Sequence, residues 1–217
     1  MIKVLFICHG NICRSPMAEY VFKDMLEKRG LTDRFVVASA ATSDEEIWRG
    51  EGNPVYPPAQ EELRRHGIGG TEYTDFTKKR VVQLVREDYD RYDYLLCADS
   101  MNIRNVLRIT GEDSEGKVRL LLDYAGRPGE SIADPWYTGD FVRSYNDIVD
   151  GLNGFLNRFC PCCYESMLES VGDYEICEVC GWEDDPVSRR DPDFEGGANH
   201  NSLNEERKIW TAKRRRY

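Results

Sequence analysis

Ile2-Lys3-Val4-Leu5-Phe6-Ile7-Cys8-His9-Gly10-Asn11-Ile12-Cys13-Arg14-Ser15-Pro16 opens the chain. Val4 to Cys8 is a nearly continuous apolar run, the pattern of a strand covered on both faces. The residues after it suit an oxyanion. Gly10 lets the loop turn its N–H groups inward, and a helix start beyond adds positive potential. Ser15 is a good N-cap and Pro16 fits the first helical position. Arg14, six residues after Cys8, can grip a phosphate through two parallel hydrogen bonds. Cys8, facing those donors, is placed to act as a thiolate nucleophile.

Outward from this stretch, Met17 to Leu26 carries Met17, Tyr20, Val21 and Met25 at helical spacing and stops before Gly30. Phe35 to Ala38 is a second short strand, so the chain opens as a parallel crossover unit. In such units the ligand lies beyond the carboxyl ends of the strands, where the Cys8 loop falls. Tyr92–Cys97 and Val118–Leu122 read as a third and a fourth strand, with Asp99 opening the helix between them. The expected fold class is α/β, a doubly wound four-stranded parallel sheet. Phe141–Phe159 reads as a long helix whose apolar face runs from Val142 through Tyr145, Ile148, Val149, Leu152, Phe155 and Leu156. Cys97 sits in an apolar setting and reads as an inert core thiol.

Residues 123–140 form a loop rich in Gly, Pro and Asp that contains Asp134-Pro135-Trp136-Tyr137. Cleavage of a phosphate ester by a cysteine needs an acid for the leaving oxygen, and the same group must later activate water. A carboxyl beside an anionic substrate holds its proton more easily. Asp134 is the candidate.

Together these two motifs resemble the low-molecular-weight protein tyrosine phosphatases, over residues 1–159. The resemblance implies a phosphotyrosine phosphatase I-like fold and a phosphocysteine mechanism that needs no cofactor, with Cys8, Arg14 and Asp134 catalytic. It implies that His9, Gly10, Asn11, Ile12, Cys13 and Ser15 wrap the phosphate, and that Ser39 bonds Asn11 and holds the loop in shape. Trp48 would be the aromatic wall against the substrate ring, with Tyr56 behind it, and Trp136 and Tyr137 would shape the cleft mouth. The family often has a His-x-Ala-Arg-Gln element whose histidine joins the serine network. This chain has Lys78-Lys79-Arg80-Val81-Val82-Gln83 there and no histidine. The implied partner is a phosphotyrosine protein or another small aryl phosphate. Arsenate reduction on the same scaffold, or phosphoprotein sensing without turnover, are the alternatives. The first would need more reactive cysteines near residues 80–97 than Cys97 alone.

Eight cysteines are unevenly placed, and five fall within residues 160–180. Cys160 and Cys163 form one Cys-x2-Cys, and Cys177 and Cys180 another. Two such turns close a tetrahedral thiolate site, for which structural zinc is the expected ion; Cys162 is the spare and could exchange with Cys160. With Trp182, Gly196-Gly197 and the capping box Ser202–Glu205, this segment resembles the CPCC cysteine-rich family, which implies metal binding. The expected domains are therefore residues 1–159 and a zinc-ribbon-like module at residues 160–217.

Formal charge is −10, an unfavourable balance for binding nucleic acid or anionic membrane. Lys213-Arg214-Arg215-Arg216-Tyr217 runs against it and reads as a solvated end. No apolar stretch spans a membrane and no signal peptide is evident, so a cytoplasmic protein is expected.

Overall fold

The computed structural model describes residues 1–214, so residues 215–217 of the basic tail lie outside the described residues. The chain divides into two compact units, Met1–Gly154 and Phe155–Tyr217. The boundary falls inside a helix.

The first unit is a four-stranded parallel sheet. Its strands are β1 (Ile2–Cys8), β2 (Phe35–Ala41), β5 (Tyr94–Cys97) and β6 (Val118–Leu120), in the order β2-β1-β5-β6. β1 is central and buried from Val4 onward. Its side chains alternate between two cores. On one face Phe6 meets Phe22 of α1 (Arg14–Lys28) edge-on at 5.8 Å, and Phe22 meets Phe35 at 5.4 Å. On the other, Leu5 and Ile7 join Leu95, Val118, Leu120 and Val106 of α4 (Ser100–Thr110). Helices thus cover both faces, and each such side chain contributes roughly 1.5–3 kcal/mol of burial.

The chain passes from β1 outward to β2, then returns to β5 on the opposite side of β1. This reversal opens a crevice at the carboxyl ends of β1 and β5. Cys8 ends β1, and Asp99 follows two residues after the end of β5.

Around Trp48, β3 (Ile47–Trp48) and β4 (Glu51–Gly52) pair as a short antiparallel hairpin before α2 (Pro57–Arg65). Two local readings of the sequence are corrected. β6 ends at Leu120, and Leu121–Ala125 tighten into a 3-10 turn. A Cβ on Gly154 would overlap the Tyr124 carbonyl, so glycine lets α6 (Phe141–Asn157) lie directly on that turn. Val142 is half exposed and leaves the apolar face of α6, whereas Ile148 and Leu152 are fully buried.

The second unit is held by few regular elements, α7 (Pro186–Arg190) and α8 (Leu203–Arg214). Two isolated antiparallel bridges, Phe159–Met167 and Ile176–Glu183, frame its two cysteine turns. Asp184 is fully buried; it accepts from the Gly172 N–H at 2.6 Å and pairs with Arg189 at 2.5 Å. Arg207 donates to the Pro161 carbonyl at 2.8 Å and ties α8 to the first cysteine turn.

Candidate active site

A cavity of about 350 Å³ lies at the crevice between β1 and β5. Cys8, His9, Gly10, Ile12, Cys13 and Arg14 form its floor. Cys8 Sγ lies 3.0 Å from Ser15 Oγ and accepts the Asn11 N–H at 3.3 Å. Burial, and then Cys8 itself, push the neighbouring Cys13 thiol up.

The loop curls because Asn11 adopts a left-handed conformation, φ +52°, which asparagine tolerates better than most residues. Its buried amide is saturated. Nδ2 donates to Ser15 Oγ (2.9 Å) and Ser39 Oγ (2.8 Å), and Oδ1 accepts from the Val82 N–H (3.2 Å). Ser39 Oγ in turn donates to Glu19 Oε2 at 2.6 Å. Glu19 is buried and pairs with Lys23 at 2.6 Å and Lys79 at 2.9 Å. Lys79 also donates to the Ser39 carbonyl at 3.0 Å. Burial works against the Glu19 charge, but Lys79 and then Lys23 overcome it and hold the carboxyl below its ordinary value. A lysine therefore stands in the serine network where the family pattern has a histidine. Asn11 and Ser39 act beneath the loop, not on its ligand face.

Arg14 is buried and shared between two carboxylates, Asp99 at 2.7 Å and Asp134 at 2.5 Å. Burial opposes its charge, but Cys8, Asp134 and Asp99 outweigh that and hold its pKa above the ordinary value. Asp134 also caps α5 (Pro135–Thr138) by accepting the Trp136 N–H at 3.0 Å. Its loop is fastened from behind. The Ala133 carbonyl accepts from Ser144 Oγ at 2.6 Å, and the Ala133 N–H donates to Asp147 at 3.3 Å. The acid faces the cavity on a fixed support.

Trp136 and Tyr137 line the mouth, and Tyr56 packs against Trp136 with tilted rings at 5.2 Å. Trp48 does not line the cavity. It is 74% exposed on β3, with Arg49 over its ring. Glu45, Glu46, Met101 and Asn102 complete the wall instead. Cys97 is buried in β5 and burial pushes its thiol well up, so it offers no second reactive sulfur.

In the second unit the sulfurs of Cys160, Cys163, Cys177 and Cys180 lie within 4.8 Å of one another. Cys160–Cys180 and Cys163–Cys177 are separated by 3.6 and 3.7 Å. A tetrahedral zinc with ~2.3 Å bonds needs sulfurs roughly 3.8 Å apart, so the residues present fit the ion. Cys162 is not one of these four, but it is buried in the same cluster with its thiol beside Cys180. The Glu165 N–H and Ser166 hydroxyl approach Cys163 and Cys177 at 3.4 and 3.0 Å, as donors to bound thiolates would.

Residues 3–162 match the family model described as low molecular weight phosphotyrosine protein phosphatase, and residues 158–212 match the cysteine-rich CPCC model. A low molecular weight phosphotyrosine protein phosphatase of Schizosaccharomyces pombe is 40% identical over 160 residues, spanning 71% of this chain and 95% of that protein. The low molecular weight protein-tyrosine-phosphatase YfkJ of Bacillus subtilis is 38% identical over 157 residues, 72% of this chain and 94% of its own. The crystal structure of YfkJ superposes with a TM-score of 0.64 at 36% identity, covering 72% of this chain and 92% of that one.

Proposed function

Because the chain belongs to the low molecular weight phosphotyrosine protein phosphatase family, we propose that it hydrolyses phosphotyrosine through a phosphocysteine on Cys8. The observation that carries this reading is the single cavity where Cys8, Arg14 and Asp134 converge. Cys8 attacks phosphorus as the ester P–O bond breaks, and Asp134 gives its proton to the departing phenolate oxygen. Loop N–H groups and Arg14 stabilise the equatorial oxygens, most strongly in the transition state. Asp134 then takes a proton from water, whose oxygen attacks phosphorus. The P–S bond breaks and inorganic phosphate leaves. A phosphotyrosine peptide should release stoichiometric phosphate, with vanadate as a competitive inhibitor. Tight peptide binding without any phosphate release would instead establish a sensor.

Lys79 and Glu19 enter this reaction only by holding the loop. Lys79→Met should lower kcat/KM by up to about 10²-fold, since small displacements of reacting groups cost that much, and Lys79→Arg should restore most of it. The sign of the pH effect follows from Glu19. Its folded pKa is depressed, so its stabilisation is full above the ordinary carboxylate range and is lost as pH falls through the folded value. Lys79→Met should bring that loss to higher pH, read by thermal melts between about pH 3 and 6. An unchanged acid limb would remove Lys79 from the network's energetics.

The second unit is the proposed module, with Cys160, Cys163, Cys177 and Cys180 as zinc ligands. Zinc would bridge the two cysteine turns and supply folding free energy that a core this small lacks. Chelation should release one zinc per chain and collapse the dispersion of amide signals from residues 160–214, and added zinc should restore it. Retained dispersion in metal-free protein would show that the module folds on packing alone. Reduced thiols at both sites suit a reducing compartment such as the cytoplasm.

A further inference from the structure

We propose that Glu45 and Glu46 make the cleft select phosphotyrosine flanked by lysine or arginine; this rests on the phosphatase reading above. Both carboxylates belong to the cavity wall. The lining holds four acids, Glu45, Glu46, Asp99 and Asp134, against Arg14 and His9. Asp99 and Asp134 already more than offset the Arg14 charge. Glu45 and Glu46 therefore leave the mouth anionic, on a chain whose formal charge is −10.

That is an odd entrance for a doubly charged ester. Loop amides attract the phosphate only at contact, so a peptide rich in acids is repelled on approach, whereas a cationic flank is drawn in.

The two carboxylates are held in place. Glu46 accepts from Asn53 Nδ2 at 2.7 Å, its carbonyl accepts the Asn53 N–H at 2.8 Å, and its stem lies over Gly10, where an added Cβ would come 3.2 Å from Cγ. Glu45 bonds His9 Nε2 at 3.0 Å, and its N–H donates to Ser43 Oγ at 3.2 Å. A glutamine would accept the Asn53 bond as well, so that contact does not require the Glu46 charge. The apolar lining residues Met101, Trp136 and Tyr137 offer no cation to compete. A substrate lysine would meet carboxylates for its ammonium and apolar surface for its stem.

The test uses the full-length protein and three phosphotyrosine peptides of one scaffold, flanked by Lys, Ala or Glu. At low salt, kcat/KM for the lysine peptide should exceed that for the glutamate peptide by about 10- to 10²-fold, from rim pairing and steering together. The ratio should shrink in high salt. Glu45→Gln/Glu46→Gln should cut it to within about threefold, and Glu45→Lys/Glu46→Lys should reverse the order. Equal turnover of all three peptides, or a preference that the double glutamine variant keeps, overturns the selection while leaving the phosphatase reading intact. No turnover of any peptide takes down both.

Discussion

Cys8→Ser is expected to abolish turnover while leaving anion binding largely in place. The loop geometry does not depend on the sulfur. Asn11 is fixed by Ser15, Ser39 and the Val82 N–H, and Arg14 by Asp99. A serine hydroxyl at position 8 would still lie beside Ser15 and the Asn11 N–H, but it ionises far less readily than a thiol. It would also form an ordinary ester in place of a labile thiophosphate. Loss of a nucleophile of this kind costs at least about 10⁴-fold. Steady-state assays should find no phosphate release, and titration calorimetry should find vanadate or phosphate bound with nearly unchanged affinity. Appreciable turnover by the variant would overturn the phosphocysteine step. Loss of anion binding together with activity would mean that the sulfur also shapes the loop.

Asp134→Asn should lower kcat by about 10²–10⁴-fold on phosphotyrosine. The effect should be smaller for p-nitrophenyl phosphate, whose leaving group needs no proton. Asparagine is the informative replacement because its side-chain oxygen can still cap α5 through the Trp136 N–H. The same variant should bind inorganic phosphate more tightly, because a carboxylate no longer competes for Arg14 Nη2. Catalysis and product affinity thus move in opposite directions. Equal losses on both substrates, or a loss under about threefold, would deny Asp134 the role of acid.

Much of this site is legible in the sequence. The apolar run before Cys8, the Ser15-Pro16 helix start and the paired Cys-x2-Cys turns are local signals, and local chemistry fixes what they do. The residues that escaped notice are those whose role is set by distant packing. Asp99 reads as a helix cap, and it is one: it accepts the Asn102 N–H at 2.7 Å through Oδ1. That its other oxygen meets Arg14 follows only from β5 lying beside β1. The strand-reversal rule could have found it. Nothing in the sequence marks Glu19 as a buried acid, yet it is buried against Ser39. Lys79 sits in a Lys-Lys-Arg run that looks like exposed surface, and nothing local says that its ammonium turns inward. Trp48 misled for the opposite reason. Its aromatic character suggested a wall, but on the short hairpin it stands exposed and outside the cavity lining.

Arg14, held between two carboxylates, has one more bearing on what this cleft accepts. Before substrate arrives, the molecule supplies its own placeholder in Asp134. A visitor has to evict that carboxylate, and a singly charged group gains too little from the guanidinium to do so. Nitrate, chloride and phosphodiesters should therefore inhibit weakly, whereas a monoester dianion has charge enough to displace the placeholder and leave the Asp134 carboxyl free to take up the proton it then donates.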